Sequence, residues 1–421
     1  MEVMERSKTV EPVLPVFDGD LLPDGWQMTT IGKVCEKVEK VDPTATPKRA
    51  FRYIDIGGID NQQLRIVDTK EYLGADAPSR ARQSVKAHDV VVSTVRTYLR
   101  NIALVPPDLD GQVASTGFCV LRGDGEWMGK YLYYFVQADA VLKEIGKQQR
   151  GTSYPAVRDS DIKAQFIPLP PKKDLRWIVE AIERHLGRLD AAVARLHAAK
   201  AKLKRYKQAV LHEVFSEEWD TARLDEVCLK IQDGSHFSPK DQFNEPGKGR
   251  YKYITSKNIR NGYMNLGEMV YVTKDYFDTI YPRCNPELND VLLTKDGANT
   301  GNVTLNTLDE PYALLSSVCL LKPDRSKLMP EFLMYFIQSP DGFKQLTGKM
   351  TGTAIKRIIL ERIREAPIPL PSLREQKQLV EHVSKRLRAA DETDSTLDAQ
   401  LLQATRLRQA VLKRAFEGRL V

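Results

Sequence analysis

The 421-residue chain repeats itself at a spacing near 200 residues, and a repeat of that length sets the architecture before any element is assigned. Trp26 opens a segment containing Val34-Cys35-Glu36, and Trp219 opens one containing Val227-Cys228-Leu229. Tyr53-Ile54 answers to Tyr253-Ile254, Asp89-Val90-Val91 to Asp290-Val291-Leu292, and Cys119-Val120-Leu121 to Cys319-Leu320-Leu321. Gly151-Thr152 matches Gly352-Thr353, Ile167-Pro168-Leu169-Pro170 matches Ile368-Pro369-Leu370-Pro371, and Gln208-Ala209-Val210-Leu211 matches Gln409-Ala410-Val411-Leu412. A chance alignment does not hold register across so many features.

Each copy opens with about 150 residues of short apolar runs broken by turn formers. The β-branched content of Val90 to Val95 and of Val291 to Thr294 predicts strands. Asp124-Gly125, Asn261-Gly262 and Lys295-Asp296-Gly297 read as turns. Apolar residues at helical spacing over Lys130 to Ile145 and Pro330 to Leu346 add helices, so each first part is an α/β domain. Each copy then ends in a long helix beginning just after a proline cluster, Pro168 to Pro171 and Pro367 to Pro371. In the first, Leu189, Ala192, Leu196, Ala199, Leu203, Tyr206 and Val210 step by three and four. In the second, Leu397, Leu401, Ala404, Leu407 and Val411 do nearly the same. That is a seam of coiled-coil type, and because both copies carry one, the two helices are expected to pack on each other.

Composition narrows the function. No apolar run is long enough to span a membrane, and the segment from Met1 to Asp20 lacks the apolar centre of a signal peptide, so it reads as a flexible leader or edge segment of a cytoplasmic protein. Five cysteines without a Cys-x-x-Cys pair, and six scattered histidines, give no disulfide framework and no metal-ligand spacing. Cys35 matches Cys228 and Cys119 matches Cys319 under the repeat, as small buried apolar residues would. No phosphate loop and no glycine-rich nucleotide turn occurs, so no catalytic residue is assigned. A net charge of +7 suits a polyanionic partner without demanding one. Within the first long helix, Arg195, Lys200, Lys202, Lys204, Arg205 and Lys207 form a one-signed stretch, read as facing DNA or an acidic partner.

Several stretches then resemble one family. Asp233-Gly234-Ser235-His236-Phe237-Ser238-Pro239 is similar to the Asp-Gly-x-His-x-x-Pro element that opens many target-recognition domains. Tyr271-Val272-Thr273-Lys274, Asp290 to Ala298 and Thr300-Gly301-Asn302-Val303 resemble its central strands and turns. Gly352 to Arg357, then Ile368-Pro369-Leu370-Pro371 and Glu375-Gln376, resemble its junction into a long helix. The first copy resembles another branch of that domain, through Ser93-Thr94-Val95-Arg96, Ala114 to Phe118 and Gly151 to Pro155. By these motifs, doubled and in order over residues 22–421, the chain resembles the specificity subunits of type I restriction–modification enzymes. One departure is Asp174-Leu175, where the family usually has Glu-Gln.

The resemblance implies two α/β (α+β) target-recognition domains separated by an antiparallel coiled coil, with approximate two-fold symmetry. The expected division is a leader over 1–21, domains over 22–170 and 217–371, and spacer helices over 171–216 and 372–421. The spacer residues would include Leu189, Leu196, Leu203, Tyr206, Val210, Leu397, Leu401, Leu407 and Val411. The resemblance further implies a bipartite double-stranded DNA target, two modification subunits and two restriction subunits. S-adenosylmethionine, ATP and Mg would then belong to those partners. The basic, hydroxyl and amide groups near predicted turns are the candidates for DNA contact. In the first copy these are Arg80, Arg82, Arg96, Tyr98, Arg100, Thr152 and Tyr154, and in the second His236, Lys240, Lys295, Asn299, Lys356 and Arg357. Two rivals remain at this point: the recognition region of a self-contained DNA-modifying enzyme, and a coiled-coil adaptor that binds no DNA.

Overall fold

The structure, a computed structural model, describes residues 16–19, 22–151, 154–348 and 357–420. It divides into two units, one formed by Met1–Leu196 with Ala399–Val421 and the other by His197–Asp398. The division falls inside both long helices, which run over Leu175–Phe215 and Leu373–Phe416, so each unit owns one part of each.

The two units follow one plan. In the first, strand β1 (Val90–Ser93) lies between β2 (Ile102–Leu104) and β3 (Phe118–Leu121), followed by helices α1 (Gly125–Phe135) and α2 (Asp139–Lys147). A second sheet joins Lys70–Leu73, Ala50–Ile54, Val113–Ser115 and Ala81–Ser84, with Tyr53 parallel to Val113. The second unit repeats this with β4 (Cys228–Asp233), β5 (Val291–Thr294), β6 (Val303–Leu305) and β7 (Val318–Pro323). There Tyr253 lies parallel to Ala313. Cys119 faces Val92 across the central pair of one unit and Cys319 faces Leu293 in the other, so the sequence repeat is also a repeat of strand register. The Ile-Pro-Leu-Pro segments form short strands that pair with the opening strand of their own repeat, Pro168 with Met28 and Ile368 with Ala222. Two-stranded pairing leaves room for residues with no N–H to donate.

The first long helix is α3 (Leu175–Phe215). The second unit then contributes α4 (Lys274–Cys284), α5 (Pro330–Gln338) and α6 (Pro340–Thr347), and the second long helix, shared by both units, is α7 (Leu373–Phe416). Where the sequence suggested single helices over 130–145 and 330–346, the structure has the pairs α1/α2 and α5/α6. The break in the second pair follows from Ser339, whose hydroxyl caps the Gly342 N–H at 3.0 Å, and from Pro340, which cannot donate inside a helix. Each long helix ends on a phenylalanine packed against two aromatic rings of the first helix of such a pair. Phe416 lies edge-on to Tyr131 and Phe135 at 5.2 and 5.1 Å, and Phe215 edge-on to Phe332 and Phe336 at 5.1 and 5.5 Å. Phe17, in the segment read as a leader, is buried on Phe135 and Phe416.

The helix parts are antiparallel within the second unit. Lys200 reaches Asp394 and Asp398, Lys207 reaches Asp391 and Asp394, and Glu213 reaches Arg386, so positions rising on α3 meet positions falling on α7. In the first unit Asp190 pairs with Arg408 at 2.7 Å. Leu189, Leu196, Leu203, Val210, Leu397, Leu401 and Val411 are half-buried or buried, as expected of a seam. Leu407 departs from this at 52% exposed, and Tyr206, 42% exposed, meets α7 through Arg386, whose Nε donates to its hydroxyl at 3.3 Å. Val193, Lys200 and Lys207 also take up the seam, the lysines covering it with their methylene stems while their ammonium groups meet aspartates. Two members of the basic stretch are thus engaged by α7, whereas Arg195, Lys202, Lys204 and Arg205 are exposed. Hydrogen bonding from Lys200, reinforced by Lys207, holds the Asp394 carboxyl below the usual range.

Asp89 and Arg122 form a buried ion pair at 2.7 Å in the first unit, and Asp290 and Lys322 stand in the corresponding place of the second at 3.6 Å. The Arg122 guanidinium also donates to the Ser84 carbonyl at 3.0 Å, and Asp89 accepts from the Lys86 N–H at 2.8 Å. Removing one partner leaves the other charge buried and alone. Arg122→Ala should therefore lower the stability of the first unit by about 3–5 kcal/mol, measured by chemical denaturation; a loss below about 1 kcal/mol would contradict this reading.

Candidate nucleic-acid interface

The turn between β1 and β2 gathers three of the sequence-predicted residues. Its ends are tied by the Ser93 N–H to the Asn101 carbonyl at 2.9 Å, and Thr97–Leu99 form a single 3-10 turn between Arg96 and Arg100. Both arginines are left-handed, with φ of 49° and 55°. A residue with a Cβ is disfavoured there by roughly 1–2 kcal/mol, so the surrounding bonds must hold the turn in place. They do so: the Arg96 N–H donates to the Pro155 carbonyl at 2.8 Å, Val157 N–H to the Thr94 carbonyl at 2.8 Å, and the Gln149 side chain to the Thr97 hydroxyl at 2.6 Å. The side chains project from this frame. The Arg96 guanidinium lies 5.3 Å from the Tyr154 ring centroid, while Tyr98 and Tyr154 are 62% and 73% exposed. Arg100 is ion-paired with Asp139 at the edge of a pocket of about 300 Å³ that Tyr98, Lys143 and Gln149 also line. Arg80 is exposed at a strand start, and Arg82 is half-buried and held by Asp42 at 3.1 Å. Thr152 lies outside the described residues.

The second unit builds the same turn from other residues. The Thr294 N–H donates to the Asn302 carbonyl at 2.8 Å, and the positions matching Arg96 and Arg100 are Gly297 and Gly301, with φ of 92° and 95°. Glycine adopts that backbone without penalty. The first unit therefore carries arginine where its own repeat shows that glycine suffices.

Lys295 is a correction. It is 2% exposed, with its ammonium 3.3 Å from Asp233 and 3.6 Å from Asp296, so it braces the turn and does not face a groove. Asn299 is half-buried, its amide donating to the Ser256 carbonyl at 3.2 Å. His236 and Lys240 are exposed, and Arg357 is exposed with Asp296 3.8 Å away. Lys356 lies outside the described residues. Sequence reasoning missed Asp233 and Arg283. Asp233 is buried and meets Arg283 at 2.6 Å and His236 at 2.9 Å as well as Lys295. Burial alone would raise its carboxyl, but Arg283, Lys295 and His236 together bring it below the usual range. The histidine was legible in its motif; Arg283 arrives from the end of α4 with no spacing that marks it.

Among the described residues no group of three His, Cys, Asp or Glu could hold a metal, and no helix is long and apolar enough to cross a membrane. The five cysteines are free thiols, and burial pushes Cys35, Cys228 and Cys284 up to about 12, which keeps them protonated and unreactive.

Residues 216–403 match the family model described as the type I restriction modification DNA specificity domain. The chain is 24% identical to the EcoBI specificity subunit of Escherichia coli, over 68% of this chain and 65% of that one. It is 22% identical to the EcoKI specificity subunit of Escherichia coli K12, over 95% and 90%. Among solved structures, the HsdS subunit from Thermoanaerobacter tengcongensis is 30% identical, covering 94% of this chain and 98% of that one, with a TM-score of 0.53. A chain from a structural study of type I R-M complex assembly and conformational transition is also 30% identical, covering 94% and 99%, with a TM-score of 0.78.

The Arg96→Gly and Arg100→Gly substitutions separate strain from contact. Each should leave stability unchanged or raise it by up to about 1 kcal/mol, because the left-handed penalty disappears while backbone freedom in the unfolded chain grows. Each should also weaken DNA binding by the assembled complex by roughly tenfold, the loss of one specific arginine contact. Calorimetry and titration of labelled duplex read the two effects; a destabilised protein with unchanged affinity would reverse the assignment.

Proposed function

Because the chain belongs to the specificity (HsdS) subunits of type I restriction–modification systems, we propose that its two units read the two halves of a bipartite double-stranded DNA target. The carrying observation is that both units share one strand register and one turn, yet present different side chains from it. A shared frame with divergent contacts is what two unlike half-sites require. Arg96, Tyr98, Arg100 and Tyr154 are the first unit's contacts, with Arg80 and Arg82 beside them and Thr152 in the adjoining segment. His236, Lys240, Asn299, Lys356 and Arg357 serve the second, together with Arg283. Phosphates are gripped by the lysines and arginines, which fixes register, while arginine and the polar side chains with directed donors read base edges.

In this reading the two long helices hold the units at the separation of the half-sites, about one turn of DNA or roughly 34 Å. Two modest half-site contacts then act as one selective event, because the second unit binds at a high effective concentration once the first is seated. The chain itself is non-catalytic and works in the cytoplasm. Two modification subunits and two restriction subunits dock on it and carry S-adenosylmethionine, ATP and Mg. The doubled plan offers each kind of partner two nearly equivalent faces.

Replacing residues 22–165 with the matching segment of a relative of different specificity should change one half of the methylated target and leave the other intact. Sequencing of methylated positions reads the outcome in the complex with modification subunits. A change in both halves, or in neither, would contradict the division of labour.

A further inference from the structure

The second unit carries a side chain that neither a core nor the contacts above account for. Phe237 is 78% exposed, the most exposed of the large apolar side chains among the described residues. Single exposed apolar residues are ordinary and mark nothing alone. The backbone beneath this one is unusual in how firmly it is fixed. The Ser235 hydroxyl accepts from the Phe237 N–H at 3.1 Å and donates to the Phe237 carbonyl at 3.3 Å, and that carbonyl also accepts from the Tyr276 hydroxyl. Ser235 itself is buried, its N–H bonded to the Leu314 carbonyl at 2.8 Å and its carbonyl to the Ser316 N–H at 3.0 Å. Gly234 makes this seating possible, since a Cβ there would lie 2.2 Å from the Leu314 carbonyl oxygen. The loop therefore holds a large aromatic ring out into solvent on a rigid base.

Its neighbours state what such a ring would meet. His236 precedes it, turned by its 2.9 Å bond to Asp233, and Arg283 is fixed on the other oxygen of the same carboxylate. Lys240 is exposed three residues on. A firmly seated apolar wedge on a loop that also carries cationic and basic groups suits an apolar surface lying inside a polyanion, and stacked base pairs behind phosphates are that surface. Apolar side chains placed in this way enter between base steps, part the stack and kink the duplex. The corresponding stretch of the first unit, around Asp42-Pro43-Thr44, holds no aromatic residue, so the device belongs to one half-site only.

Resting on the DNA-reading role proposed above, we propose that Phe237 inserts between adjacent base pairs of the second unit's half-site. Asp233 acts as a positioning residue that sets His236 and Arg283 beside the opened step. Selectivity at that position would then come partly from how easily the step unstacks, pyrimidine–purine steps being the softest.

The test uses the complex with modification subunits and its mapped target, with 2-aminopurine placed in turn at each position of the duplex. The wild-type complex should brighten one step of the second half-site, distinct from the adenine that is methylated. Phe237→Ala should abolish that signal, keep the wild-type unfolding temperature because the ring is exposed, and weaken binding roughly 10–100-fold, the range set by burying one phenylalanine. A mismatch or abasic gap at the same step should restore most of the loss, since the duplex is then already unstacked. Phe237→Trp should retain the signal. The same fluorescence profile for wild type and Phe237→Ala, or an affinity loss that the mismatch does not restore, would overturn the wedge while leaving the DNA-reading role in place. No selective binding by the wild-type complex would instead overturn that role and the wedge with it.

Discussion

The burial of one phenylalanine at the end of each long helix is the interaction on which the rest of this structure depends. Phe215 packs on α5 of the unit that follows it, and Phe416 packs on α1 near the opposite end of the chain. A buried phenylalanine is worth several kcal/mol in a well-packed core. The first unit is thus incomplete until the last residues of α7 arrive, and the division of the chain cuts through helices instead of linkers. Closing so long a loop costs entropy that grows only slowly with length, so the packing of Phe416 with Phe17, Tyr131 and Phe135 can offset it. The same arrangement makes each long helix a member of both units.

Charge sets the register of what packing only brings together. Exposed pairs contribute at most about 1 kcal/mol each, so the ladder of Lys200, Lys207 and Arg386 with Asp391, Asp394, Asp398 and Glu213 matters chiefly as specification. A slip of one turn along α7 would still leave Lys200 an aspartate, because Asp394 and Asp398 are themselves one turn apart, but it would set Glu213 against His382 or Ala390 in place of Arg386. This also explains the limit of the heptad reading. Strict steps of three and four put Leu407 on the seam, but lysines whose stems cover apolar surface took part of that place, and hydrophobic spacing is blind to them.

Much of the fold was legible because a repeat compares the chain with itself. Strand positions, the proline-rich closing strands and the long helices all follow from it, as does the equivalence of the two turns. What escaped was whatever depends on contacts distant in sequence. Lys295 looks like a surface cation in a turn motif, yet Asp233 and Asp296 draw it into the interior. Arg283 has no local signal because it sits on α4, while its partner carboxylate lies on β4, distant in sequence. Left-handed arginines are equally silent: a sequence shows Arg96 and Arg100 but not their backbone. Only beside Gly297 and Gly301 does their cost become visible, and with it the suggestion that these two side chains are kept for what they touch.

The central claim is that two unlike readers are held at a distance set by the helices. The most direct measurement inserts four residues into both long helices, near Leu196 and Leu397, and maps methylation across a randomised duplex library with modification subunits present. Four residues add about 6 Å and turn the helix by roughly 40°, and B-DNA advances about 3.4 Å per base pair. An insertion of this length passes through a coiled coil as a stutter without losing the apolar face. The account predicts a gap between half-sites changed by one or two base pairs, with both half-sites unaltered. An active complex whose gap is unchanged, or whose half-sites change instead, would contradict it.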